Sequence, residues 1–257
     1  MNIFKQKLKS RSLSFGCWIT FPCEASAEIL ARTGFEWLVL DMEHAPLGVE
    51  EAARLIRIID LAGLPAICRL PSNDSNLAKN VLDAGAAGIM VPTIESAEQA
   101  RKAVDAAYYP PRGKRGVGLG RAQAYGAGFK EYCERSDKEL IVIAMIETKA
   151  GAENAEAIAG TPGIDGVLVG PYDLSGSLGP IGELHHPDLD EAKKKVQNAA
   201  RQRKIGYGLH VVHPTEEAIQ KALREDHTFL ALGVDMIFLD QAAKSTLAFA
   251  KKTALEK

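Results

Sequence analysis

Eight times along the chain a short apolar run gives way to polar punctuation and then to a longer stretch with helical periodicity, and this alternation restricts the fold more than any other feature. Such a run is too short for a comfortable helix, and without polar alternation it fits a strand covered on both faces. The runs fall near residues 14–19, 37–40, 66–68, 88–91, 141–146, 166–169, 206–209 and 229–232. Between and after them, 25–33, 49–62, 75–84, 96–107, 150–159, 189–203, 214–224 and 241–252 carry the i, i+3, i+4 spacing of amphipathic helices. Strand and helix in turn predict βαβ units and a parallel sheet, and eight such units predict a closed α/β barrel, the (β/α)8 TIM barrel. The 257 residues, with no linker or low-complexity segment, suit one such domain over 1–257.

A formal net charge of -2 and no basic run exclude a nucleic-acid binder working through a basic surface. Nothing approaches eighteen consecutive apolar residues and the N-terminus lacks an apolar signal core, so a cytoplasmic protein with no membrane partner is expected. Cys17, Cys23, Cys68 and Cys133 form no CxxC pair, and Cys17 and Cys68 lie in apolar runs, as reduced core thiols do.

In a parallel barrel, chemistry belongs where strands end at their carboxyl termini. Here the apolar runs lead repeatedly to charge: 37–40 into Asp41, Glu43 and His44; 66–68 into Arg69; 141–146 into Glu147; 166–169 towards Asp173. Unpaired burial of such groups costs several kcal/mol, so a shared polar site explains them together. Glu147 and Asp173, beyond two successive strands, could hold a divalent metal; the lesser alternative is that both only cap the helices that follow. Arg69 offers a planar fork for a carboxylate or oxyanion, or for a structural ion pair. His44 follows two carboxylates and can exchange a proton near neutral pH, with Asp41 placed to orient its ring. Gly170 to Asp173 open a short helix whose free N–H groups could receive a small anion. His210 and His213 are weaker candidates.

One connection, 108–140, is far longer than the usual loop of about 4–6 residues and is too rich in glycine and proline for a helix. With Arg112, Lys114, Arg115 and Arg121 it suits an anion-contacting lid, a subunit contact or a solvated charge cluster.

DMEHAP at 41–46, RLPSND from Arg69, GAAGIMVPTIESAEQA at 85–100, YPPRGKRGVG at 109–118, IET at 146–148 and VGPYDLSGSLG at 169–179 together resemble the HpcH/HpaI family of metal-dependent pyruvate aldolases. The resemblance implies a (β/α)8 barrel in a homo-hexamer, a trimer of dimers with an exchanged C-terminal helix. It implies a divalent metal (Mg2+, Mn2+ or Co2+) on Glu147 and Asp173, Arg69 on the pyruvate oxygens, and His44 as base supported by Asp41. Asp83 matches an aspartate that approaches the site from a neighbouring subunit. The expected reaction is reversible cleavage of a 4-hydroxy-2-oxo acid, of the 4-hydroxy-2-oxoheptanedioate or 2-keto-3-deoxy sugar acid type, to pyruvate and an aldehyde. A histidine within GLHVVH, 208–213, departs from the small or apolar residues expected there, which bears on the aldehyde half. Relatives on this scaffold also act as decarboxylases or citrate-forming synthases. A Schiff-base aldolase using Lys149 and a non-catalytic carboxylate-binding barrel are the rival readings, and retention of base, arginine and both ligand candidates speaks against the second.

Overall fold

The computed structural model describes residues 2–255, and its eight parallel strands close into one barrel in chain order. They are β1 (Ser14–Ile19), β2 (Trp37–Asp41), β3 (Ala66–Arg69), β4 (Gly88–Val91), β5 (Ile141–Ile146), β6 (Gly166–Val169), β7 (Gly206–Val211) and β8 (Phe229–Val234). All eight expected strands are present; several run one or two residues further towards the polar residues after them. Asp41 and Arg69 are thus the last residues of β2 and β3 and lie opposite each other in register.

The helices outside the barrel are α2 (Glu24–Ala31), α3 (Val49–Leu61), α4 (Ser75–Asp83), α5 (Ala97–Ala107), α6 (Phe129–Glu139), α7 (Lys149–Glu153), α8 (Ala155–Ala159), α9 (Pro171–Leu178), α10 (Pro187–Arg203), α11 (Glu216–Arg224) and α12 (Asp235–Leu255), with α1 (Ile3–Ser10) preceding β1. Apolar faces of these helices and outward strand residues such as Leu38, Cys68, Val142 and Val169 form the larger core. Inward residues including Val39, Ile67, Met90, Ile143 and Leu168 fill the barrel itself. All four cysteines are free thiols, and burial pushes Cys17 and Cys68 up to about 12.

Helix α1 is unannounced by the strand pattern. Asn2 caps it by accepting from the backbone N–H groups of Phe4 and Lys5. Its Phe4 stacks on Trp37 (centroids 4.7 Å) and meets Phe229 edge-on, so α1 plugs the amino-terminal end of the barrel. The plug carries a buried charge: Lys5 Nζ reaches Asp165 at 3.1 Å and Tyr108 Oη at 3.0 Å, and also donates to the carbonyl of Leu140. Asp165 accepts the Val142 N–H as well, so the pair is hydrogen-bonded on both sides.

The long 108–140 connection corrects two expectations. It is not helix-free: α6 occupies Phe129–Glu139, after a 3-10 segment at Arg121–Gly126. It joins the end of α5 to the start of β5, so it lies at the amino-terminal face, opposite the strand ends, and is no lid over this chain's own site. The four basic residues at its start are paired, Arg112 with Asp137, Lys114 with Asp105, Arg115 with Asp83 and Arg121 with Asp60.

At the seam between β1 and β8 the register shifts between Gly16 and Trp18. Beside it Asp235 accepts from Thr20 (backbone 3.0 Å, hydroxyl 2.6 Å), the Phe21 N–H, the Ser26 hydroxyl and the Met236 N–H, tying the start of α12 to the β1–α2 loop. From Leu239 to Leu255 every residue of α12 is exposed, including Leu239, Leu247 and Phe249. No helix among the described residues is long and apolar enough to cross a membrane.

Candidate active site

The strand-end charges meet at the carboxyl-terminal mouth of the barrel. Arg69, 8% exposed, points its fork at Asp41, with Nε to Oδ1 at 3.0 Å and Nη2 to Oδ2 at 2.6 Å. Its remaining nitrogen Nη1 lies 3.0 Å from Glu43 Oε2, and its guanidinium sits 4.4 Å above the Trp18 ring. Two carboxylates and an aromatic face thus hold one guanidinium flat at the mouth, which lysine could not reproduce.

Asp41 is placed differently from the sequence expectation. Its Oδ1 accepts the backbone N–H groups of Glu43 and His44, both at 3.1 Å, while both its oxygens are engaged by Arg69. It therefore shapes the turn and fixes Arg69, and does not orient the His44 ring. The His44 side chain is 66% exposed, and its Nε2 lies 3.8 Å from Glu43 Oε2, so Glu43 is the acid beside the imidazole.

Glu147 is not a helix cap. Thr148 caps α7 by accepting from the Gly151 N–H, whereas Glu147 Oε2 turns back to accept the Thr93 N–H at 3.0 Å. Its other oxygen lies against Gly170, where an added Cβ would sit 2.7 Å from Oε1. Asp173 stands exposed in the first turn of α9, whose N-cap is Gly170. Burial raises the Glu147 pKa, the Thr93 N–H opposes that, and the charges of Glu43 and Asp173 raise it further. Glu43 is raised by burial too, against the pull of Arg69 and His44, with Asp41 and Asp173 adding to the rise.

Three mutually repelling carboxylates, Glu43, Glu147 and Asp173, make a hard-oxygen environment that a divalent cation fits. Among the described residues no group of three or more His, Cys, Asp or Glu is arranged to hold an ion alone. Glu147 and Asp173 would leave most of the coordination shell to water and substrate, as Mg2+ sites commonly do.

Three site residues escaped the sequence analysis or were placed low in it. Trp18 reads as an ordinary strand residue until the barrel closes and its inward-facing ring lies under Arg69. Thr93 carries no motif. His210 forms the wall beyond Trp18, stacked on it at 5.0 Å with Nε2 3.1 Å from the Gly233 carbonyl; burial holds its pKa down at about 4. The carbonyl can only accept, so Nε2 carries the proton. Asp83 lies at the end of α4, on the opposite face, paired with Arg115 and 3.4 Å from Gln123 Nε2, and takes no part in this chain's own mouth. Lys149 is exposed, without the burial an imine-forming lysine needs.

The HpcH/HpaI aldolase/citrate lyase family profile matches residues 14–242. The chain belongs to this family. It is 37% identical over 249 residues to a hydroxypyruvate/pyruvate aldolase of Chromohalobacter salexigens, covering 96% of each chain. It is 36% identical over 252 residues to a 5-keto-4-deoxy-D-glucarate aldolase of Klebsiella pneumoniae, covering 97% of each. The solved HpcH/HpaI aldolase/citrate lyase family protein of Burkholderia cenocepacia J2315 superposes with a TM-score of 0.92 at 33% identity, over 98% of this chain and all of that one. Family membership makes the chain a carbon–carbon lyase of the aldolase type.

Proposed function

We propose that this chain, a single domain over 1–257, is a metal-dependent class II aldolase that reversibly cleaves a 4-hydroxy-2-oxo acid to pyruvate and an aldehyde. The observation that carries the reading is the convergence of the Arg69 fork with Glu147, Asp173 and Glu43 at one barrel mouth. Glu147 and Asp173 would hold a divalent ion (Mg2+, Mn2+ or Co2+), which would supply Lewis-acid polarisation to the 2-oxo acid. Arg69, held flat by Asp41 and Trp18, stabilises negative charge developing on the keto oxygen as C3–C4 breaks. His44, exposed at the mouth beside Glu43, takes the C4 hydroxyl proton, and the electron pair of the broken bond passes into the enolate of pyruvate. Gly170 keeps the space beside Glu147 clear, and the first turn of α9 faces the substrate carboxylate.

Of the two substrate types, the 2-keto-3-deoxy sugar acid is favoured. The two relatives are named for 5-keto-4-deoxy-D-glucarate and hydroxypyruvate, and a neutral His210 beside Trp18 gives the mouth a polar wall. Pyruvate release from such acids, and from 4-hydroxy-2-oxoheptanedioate, tests the assignment. Exhaustive chelation should abolish turnover and added Mg2+, Mn2+ or Co2+ should restore it. Full activity in chelator, or borohydride trapping of pyruvate on Lys149, would sink the metal reading.

Arg69 and His44 separate in kinetics. Arg69→Lys keeps the charge but loses the fork, so kcat/KM should fall about 100-fold with pyruvate affinity also reduced. His44→Ala should slow cleavage while pyruvate binding stays near normal. Loss of pyruvate binding in His44→Ala alongside a fully active Arg69→Lys would reverse the two roles.

We place the enzyme in the cytoplasm as a homo-hexamer in which α12 is exchanged between subunits and Asp83 reaches a neighbour's site; the exposed apolar side chains of α12 support a subunit contact through that helix. Truncation after residue 240 should leave a folded barrel with a smaller mass in analytical ultracentrifugation; an unchanged mass would remove α12 from the assembly.

A further inference from the structure

Thr93 holds a backbone conformation that its side chain opposes. Its φ is +52°, the left-handed region, where a β-branched residue is an outlier that costs stability unless the surroundings impose it. Nothing in its own turn demands this. Thr93 lies two residues past β4, whereas the groups it meets belong to β5 and the chain after it. Its N–H donates to Glu147 Oε2 at 3.0 Å, its hydroxyl stands 3.4 Å from the same oxygen, and the next amide, Ile94 N–H, donates to the Met145 carbonyl at 3.0 Å. The loop is clamped again two residues on, where Glu95 accepts from the Thr148 hydroxyl at 2.8 Å and its carbonyl from Asn154. These bonds bracket Glu147 on both sides and pin the β4–α5 turn to β5.

We propose that Thr93 is a positioning residue: its left-handed turn aims a backbone N–H at Glu147 Oε2 and so locks the carboxylate with Oε1 against Gly170, the orientation in which it receives the divalent cation. This rests on the metal reading above for the identity of what Glu147 binds, but the locked orientation itself does not depend on it. Partners that orient a metal ligand from behind typically change metal affinity about 10–100-fold when removed. The hydroxyl, at 3.4 Å, contributes little; the amide and the φ that points it are what matter.

The test replaces the residue at 93 with the matching α-hydroxy acid, which exchanges its N–H for an ester oxygen and leaves φ accessible. Mn2+ affinity is measured by calorimetry and electron paramagnetic resonance on the assembled protein. The ester variant should bind Mn2+ about 10–100-fold more weakly. Thr93→Ala, which keeps the amide, should stay within about threefold, because a neutral hydrogen bond that long contributes little. Thr93→Gly, for which this φ is free of steric cost, should raise the Tm by about 2–4 °C. An ester variant binding Mn2+ within twofold of wild type overturns the proposal. Should wild type bind no Mn2+, the metal reading fails separately, and the crystal structure of the ester variant decides: a Glu147 carboxylate in the unaltered orientation overturns the positioning role, a rotated or disordered one supports it.

Discussion

Glu147→Gln should cut divalent-metal affinity at least about 100-fold, beyond the effect typical of groups that merely orient a ligand, and turnover with it. The barrel should remain intact. Glu147 serves the mouth and not the apolar core, and its charged form is disfavoured in the folded state by burial and by Glu43 and Asp173. The sign follows: a carboxylate whose folded pKa is raised lowers stability above that pKa, and the penalty disappears as pH falls below the unfolded value. Removing the charge therefore raises the Tm of the metal-free protein at pH 7 and changes it little near pH 3. Calorimetric titration with Mn2+ and scanning calorimetry at the two pH values check both halves. Asp173→Asn should weaken binding in the same way with a smaller gain in Tm, since Asp173 is exposed. Normal metal binding by both variants would falsify the ligand assignment.

The largest loss of stability is expected at the other end of the barrel, from Lys5→Met. Nothing in the aldolase chemistry needs Lys5, yet it is 2% exposed and its ammonium is the counter-charge of Asp165, itself 6% exposed. Removing one partner of a buried, hydrogen-bonded ion pair costs about 3–5 kcal/mol because the other charge is stranded. At about 2–4 °C per kcal/mol for a chain of this size, the Tm should fall by roughly 6–20 °C. The double variant Lys5→Met/Asp165→Leu should recover a large part of this loss, and both should keep the wild-type kcat at temperatures where they are folded. A Tm within 2 °C of wild type for the single variant would show that the ammonium is not the partner that Asp165 requires.

These two sites mark what could be read in the chain and what could not. The barrel was legible because its strands are buried on both faces, so each reads as an unbroken apolar run, as 141–146 and 166–169 do. Arg69 and Glu147 were legible for a related reason, since a charge that directly follows such a run must lie at the strand end, and Asp173 because it opens the helix that follows β6. Asp41 was found but its partner was not. Which group a carboxylate faces depends on register, here the lateral pairing of Asp41 with Arg69 between β2 and β3, and no one-dimensional spacing encodes that. Trp18 needed the closed barrel that brings its ring under Arg69, and Thr93 needed a backbone angle that its residue type argues against. Helix α1 was missed because its apolar residues are few; Phe4 and Leu8 become core only once the barrel exists for them to plug. Helix α6 was hidden behind the glycine- and proline-rich start of its connection, although 129–139 is free of both residue types.

The Asp235 knot at the β1/β8 seam bears on how the chain is made. The edge of β1 that pairs with β8 cannot be satisfied until the last strand leaves the ribosome, and at about 5–20 residues per second that is roughly 10–40 s after β1 emerges. During that interval a nascent sheet of apolar strands has two open edges, at β1 and at its latest strand, each a template for pairing with other chains. Thr20 and Phe21 after β1 and Ser26 in α2 wait for a carboxylate some two hundred residues downstream, so the latch shuts only on a chain synthesised past β8 to Asp235. A chain that stops short of Asp235 lacks both the last strand pairing and the latch.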